Sequence, residues 1–165
     1  MRPCRRPGRR AASRPLTTSP GAAATAFVRL RPHHLFCLLT DIGRGYSPGF
    51  VATMDGVAAR LASGVPARIV TGADDICAGL CPPAERHCEL ESASARDARA
   101  LSGASEILGR PLGEGDEVRL DRDYLSTMRA AFRDDPARGR TPCGDCPWFD
   151  VCTDIAANGF AGARL

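Results

Sequence analysis

Lysine is absent from this chain of 165 residues, and all 22 basic residues are arginine. No active site here is therefore built on a lysine amine. Aromatic residues make up only 5% of the chain and histidine occurs three times, so each histidine carries weight. Long apolar runs are missing too. The longest stretch of large apolar residues is Leu35–Leu39, far short of the roughly 20 needed to cross a bilayer as a helix. There is no glycine-rich phosphate loop and no internal repeat.

Acidic residues are missing from the first 26 positions, which carry six arginines. The rest of the chain sets 16 arginines against 19 acids. A net charge of +3 thus separates into a basic tail and a mildly acidic domain. Nucleic-acid binding through a basic face is not supported by such a domain. Residues 1–26 are rich in Arg, Pro, Ala, Ser and Thr and have too little apolar surface to offset the entropy of ordering. They are expected to be a disordered basic tail, or the product of a mis-called start with Val28 as the true initiation site. The paired arginines suggest an export signal, but no apolar segment of useful length follows them. The expected location is the cytoplasm, with no membrane association.

What the chain has in excess is cysteine. Eight occur, and six of them fall into two groups. Cys143, Cys146 and Cys152 form a C-x2-C-x5-C run; Cys77, Cys81 and Cys88 are spaced x3 and x6. In a reducing compartment such groups point to metal ligation rather than disulfides. Thiolate is a soft donor suited to zinc, copper(I) and iron–sulfur clusters. Structural zinc sites usually pair two short knuckles, and a single C-x2-C with a third cysteine six residues on is less zinc-like. The run resembles that of iron–sulfur nuclease families, but their carboxylate and lysine motifs are absent. Cys4 lies in the tail.

The periodicities predict a mainly α, compact single domain over residues 27–165, with one or two short β segments and cysteine-rich loops. A helix is expected from Pro32 to about Gly43, since proline is tolerated in a first turn. Ser47-Pro48 caps a second helix, with Phe50, Met54, Val57 and Leu61 as its buried stripe and Gly64 past its end. Ala67–Thr71 and Asp116–Leu120 read as extended. Further helices are expected over Glu91–Leu108, from Asp121 or Asp123 onward with Met128 inward, and from near Pro147 to Asn158. Residues 72–90 and 136–146 read as loops. The helix at Pro147 would aim its first amides at Cys143 and Cys146, a favourable setting for negative charge.

Cys37 is the candidate for a fourth ligand. In the first helix Leu35, Leu38, Leu39 and Ile42 form the apolar stripe. Cys37 falls on the other side, with His33, His34 and Asp41. One [4Fe–4S] cluster uses four ligands. Two four-ligand sites would use seven thiols and one of His33, His34 or His87. The candidate ligands are therefore Cys37, Cys77, Cys81, Cys88, Cys143, Cys146 and Cys152, with His33 and His34.

Four strings together are similar to the domain-of-unknown-function family 1284. They are Leu30-Arg31-Pro32-His33-His34-Leu35-Phe36-Cys37, Gly43-x-Gly45-Tyr46-Ser47, Asp74-Asp75-Ile76-Cys77 and Cys143-Gly-Asp-Cys146-x-Trp148. The resemblance covers about residues 28–165. It implies iron–sulfur binding and no particular reaction. Three functions compete. The first is a non-catalytic [4Fe–4S] protein for electron transfer or sensing, with a redox protein as partner. The second is a zinc-stabilised binding module, and the third a cluster-dependent enzyme. Enzyme chemistry has the least support. The radical-type C-x3-C-x2-C run is incomplete at Cys77-x3-Cys81. A His33–Cys37 nucleophile–base pair has no evident orienting group. Asp74-Asp75, Asp134-Asp135 and Asp121 with Asp123 read as solvated caps and turns.

Overall fold

A computed structural model describes residues 26–80 and 87–165. The basic tail up to residue 25, Cys4, Cys81 and the side chain of His87 lie outside the described residues.

The chain is mainly α. Its helices are α1 (His34–Cys37), α2 (Pro48–Ala62), α3 (Glu91–Leu108), α4 (Arg122–Asp134), α5 (Pro136–Gly139) and α6 (Phe149–Ala157). Three short strands, β1 (Val28–Leu30), β2 (Ala67–Ile69) and β3 (Glu117–Val118), form one sheet in the order β1-β2-β3. β1 and β2 are parallel, with Val28 opposite Ala67 and Leu30 opposite Ile69; β2 and β3 are antiparallel. Parallel strands need a crossover, and α1 with α2 supplies it. β1 adds a strand beyond the one or two expected. Three residues carry no period of their own, and their pairing lies 39 positions away at Ala67.

The first helix is shorter than its pattern. One α turn tightens into a 3-10 turn over Leu38–Thr40 and ends at Asp41, which is extended. The segment runs through the centre of the molecule. Leu35, Phe36, Leu38 and Leu39 are buried, and so are Arg31, His33, His34, Thr40 and Asp41 on the polar side. Buried polar groups need partners, and this demand shapes the site.

α2 follows its pattern. Ser47 Oγ accepts the Phe50 amide at 3.2 Å, and Phe50, Met54, Val57 and Leu61 are all buried. α3 ends at Gly109, whose φ of 64° a glycine adopts without strain. Its buried face is made of Ala93, Ala100, Gly103 and Ala104, small residues that let α5 approach. Asp121 caps α4 through the Tyr124 amide, and Tyr124, Met128 and Phe132 point inward.

Residues 136–146 are not wholly loop, because α5 turns directly off α4. Gly139 makes the close return possible. A β-carbon there would fall on the Ala131 carbonyl and the Phe132 amide, which are α4 backbone. Gly139→Ala should therefore cost about 1–3 kcal/mol by overpacking. A urea midpoint unchanged from the parent would show that α5 shifts freely.

Candidate functional site

The C-terminal run reaches α6 through two successive turns. The Cys146 amide donates to the Cys143 carbonyl at 2.9 Å and the Phe149 amide to the Cys146 carbonyl at 3.1 Å. The helix consequently starts at Phe149, with Trp148 as its cap, two residues later than Pro147. Cys143 and Cys146 sit before the helix, as expected, in the turns that lead into it. The turns take up the residues that a helix from Pro147 would have used.

This segment closes over α1, and between them lies a cavity of about 120 Å³. Cys37, Cys143, Cys146 and Cys152 all line it. Two chain segments more than a hundred residues apart thus bring four thiols to one space. All are free and partly buried. Thr40 Oγ1 donates to Cys152 Sγ at 3.2 Å, fixing α6 against the 3-10 turn that follows α1. Trp148, Tyr46 and Phe149 form the outer wall, with Tyr46 packed edge-on against Trp148. Tyr46 and Phe149 are exposed, so the cavity lies near the surface.

Burial raises the pKa of Cys37 well above the usual thiol range, and the neighbouring Cys143, Cys146 and Cys152 push it further. Burial likewise takes Cys143 up to about 11, with Arg140 pulling the other way. Cys152 is raised by burial against the Thr40 hydrogen bond. Neighbouring thiolates repel one another, and a cation among them offsets the burial that holds Cys37, Cys143 and Cys152 protonated. Positive charge is at hand in Arg96, which favours the Cys37 thiolate, and in Arg140. The Nε–H groups of Arg96 and Arg140 are buried and have no partner among the described residues. The same holds for Asp41 Oδ2, whose carboxyl is raised by burial.

His33 and His34 also line the cavity, and each is held from behind by a carboxylate. His33 Nδ1 lies 2.7 Å from Asp97 Oδ1, and His34 Nδ1 lies 2.6 Å from Asp74 Oδ2. Arg31, 1% exposed, donates Nε and Nη2 to Asp97 Oδ2 at 2.9 and 2.6 Å. Its Nη1 donates to the Cys88 carbonyl at 2.9 Å. Asp74 is buried rather than solvated. Its Oδ1 accepts the Ile76 and Cys77 amides, both at 3.0 Å, and its Oδ2 accepts the Arg31 amide at 2.8 Å. It does cap a turn, as expected, but from inside the molecule. His33 also has the orienting carboxylate that its sequence neighbours did not reveal. Cys37 is nonetheless a poor nucleophile, because burial keeps it protonated.

Cys77 and Cys88 are buried and near each other, apart from the four-thiol cavity. Burial and the Asp74 charge push the Cys77 thiol up to about 12. Among the described residues, His34, Asp74 and Cys77 are the one group of three such donors whose atoms all lie within 4.8 Å; the four cavity thiols are spread wider.

The sequence reading missed Asp97, Arg31 and Arg96. A signal for Asp97 existed. Ala93, Asp97, Ala100 and Ala104 recur at 4, 3, 4 spacing, which puts one carboxylate on a buried alanine face.

His33 predicts an acid sensitivity. Burial holds its pKa down to about 4, outweighing the Asp97 hydrogen bond that favours protonation. The unfolded value is about 6.5. Above that pH the imidazole is neutral in both states. Below it the unfolded chain binds the proton first, so stability falls as pH drops from 6.5 to about 4, by about 3 kcal/mol. Urea titrations of the parent and His33→Gln should differ in slope across this window. Equal slopes would show that His33 protonates freely in the fold.

Fold and site define a small, mainly α protein whose thiols ring one cavity, backed by two carboxylate-held imidazoles. The chain belongs to the family described as "Protein of unknown function (DUF1284)", which matches residues 45–152. That span holds Cys77, Cys81, Cys88, Cys143, Cys146 and Cys152; His33, His34 and Cys37 precede it. No curated protein and no solved structure matches the chain. Among the described residues, no helix is long and apolar enough to cross a membrane.

Proposed function

We propose that this protein binds a [4Fe–4S] cluster on Cys37, Cys143, Cys146 and Cys152 and serves in the cytoplasm as a one-electron carrier or redox sensor with a redox protein as partner. The observation that carries the reading is the meeting of these four thiols at one cavity. Their spread favours a cluster over a single ion. Four sulfurs on one tetrahedral zinc at 2.3 Å stand about 3.8 Å apart. No three of these come within 4.8 Å of one another. A cube-shaped cluster holds its outer thiolates wider than one ion does.

The flanking charges fit as well. A cluster with four thiolates is anionic, and the unpartnered Nε–H groups of Arg96 and Arg140 suit an anion beside them. When bound, the cluster supplies one-electron transfer. The chain's residues hold it and tune it. Thr40 donates to one ligand sulfur, and Trp148 and Phe149 limit water. Exposed Tyr46 and Phe149 leave only side chains between the cavity and a partner.

The test is purification without oxygen, followed by iron, acid-labile sulfide and zinc analysis with visible spectroscopy. The expected protein is brown and holds iron and sulfide in near-equal amounts, close to four of each per chain. A colourless protein without sulfide, holding zinc on these four thiols, overturns the reading.

A further inference from the structure

Cys77 plays no part in the four-thiol cavity, yet it lies in a nest of donors as well built as the cavity. His34 comes from α1, Asp74 from the chain after β2, and Cys77 from the 3-10 turn Cys77–Gly79. Their donor atoms all lie within 4.8 Å of one another. The three residues are 9%, 2% and 5% exposed. We propose that His34, Asp74 and Cys77 bind a mononuclear divalent transition-metal ion of the zinc type, distinct from the cluster.

The donor chemistry selects the ion. One imidazole, one carboxylate and one thiolate are the mixed N, O and S set that zinc accepts, whereas magnesium and calcium avoid sulfur. The geometry is preset. Asp74 is oriented by three backbone amides, those of Arg31, Ile76 and Cys77, without help from His34. Its remaining Oδ2 lone pair faces His34 Nδ1 at 2.6 Å, and a proton sits between them. The ion takes the place of that proton. The Nδ1 proton leaves the pair, and Cys77 releases its own to solvent as it binds. Zinc bonds of about 2.0–2.1 Å separate two ligand atoms by roughly 3.3 Å, so the His34–Asp74 pair opens on binding.

Charge and a fourth position are provided. Cys88 is buried and within electrostatic reach of Cys77, which makes it the candidate fourth ligand. The Arg31 guanidinium, bonded to the Cys88 carbonyl, lies beside Cys77 and offsets the negative charge of a thiolate. An ion here ties α1 to the turns at Cys77 and Cys88. His34 also lines the four-thiol cavity, so the two sites share one wall.

The experiment uses the full chain, purified without oxygen and equilibrated with Zn²⁺ or with Co²⁺ as a spectroscopic substitute. One zinc per chain is expected in addition to cluster iron. Co²⁺ should give thiolate charge-transfer and tetrahedral ligand-field bands. Cys77→Ala should weaken Zn²⁺ binding at least as much as loss of a supporting residue does, roughly 10- to 100-fold, and leave sulfide unchanged. Cys146→Ala should do the reverse. Absence of bound Zn²⁺ and of Co²⁺ bands in the parent protein overturns the proposal even if Cys77→Ala fails to fold. So does a Co²⁺ spectrum that survives Cys77→Ala, or zinc lost with Cys146→Ala instead. Sulfide without zinc sinks this site alone, and zinc at Cys77 without sulfide sinks the cluster alone.

Discussion

A Cys37→Ser protein, purified without oxygen, is expected to be colourless, with most of its iron and sulfide gone. Cys37 is the one cavity thiol that comes from α1; the other three come from a single short segment. It therefore closes the site, and without it three ligands remain on one side. Serine keeps the size but replaces a soft donor with a hard one that iron–sulfur chemistry uses poorly. The fold should survive, because Leu35, Phe36, Leu38 and Leu39 anchor α1 independently. Far-ultraviolet circular dichroism checks that point. Cys77→Ser is the control and should stay brown. A brown Cys37→Ser protein with full sulfide would move the fourth ligand elsewhere.

Arg31→Leu should cost about 3–5 kcal/mol of stability, the typical penalty for stranding one partner of a buried ion pair. Arg31 is almost fully enclosed and spends three donor nitrogens on two acceptors, Asp97 Oδ2 and the Cys88 carbonyl. Leucine leaves Asp97 with His33 alone, and His33 is neutral at pH 7 because burial depresses its pKa. The stranded carboxylate is then a part-buried charge with no counter-charge. Against a typical total of 5–15 kcal/mol, that is a large fraction. The double variant Arg31→Leu/Asp97→Leu should recover part of the loss, since it removes the charge as well as its partner. Urea unfolding measures both. A single-variant loss under about 1 kcal/mol would place the pair in the class of surface salt bridges.

Much of the fold was legible because its signals are local. Ser47 capping α2, the stripe from Phe50 to Leu61, Gly109 ending α3 and Asp121 opening α4 all act within a few residues of themselves. Where the signal was non-local, the reading fell short. β1 pairs with a strand 39 positions on, and α5 exists because Gly139 can touch the α4 backbone. α1 tightened to a 3-10 turn because central packing, not helix periodicity, sets its length.

The site divides along the same line. Cysteine spacing alone grouped Cys143, Cys146 and Cys152, because a tight turn fixes the relation of residues that close in sequence. The helix-face argument set Cys37 beside His33 and His34, and all three line the cavity. Nothing local distinguished Asp74 from the exposed carboxylates at Asp134 and Asp121, and the one local sign for Asp97, its place on the alanine face of α3, named no partner for it. Tertiary structure decided those roles, along with the separation of Cys77 and Cys88 from the cavity. A charge on the outside is free to remain unpaired in water. Arg31, enclosed by packing, must find its carboxylate wherever the folded chain brings one, and the energy that selects that partner arises only after the core has closed.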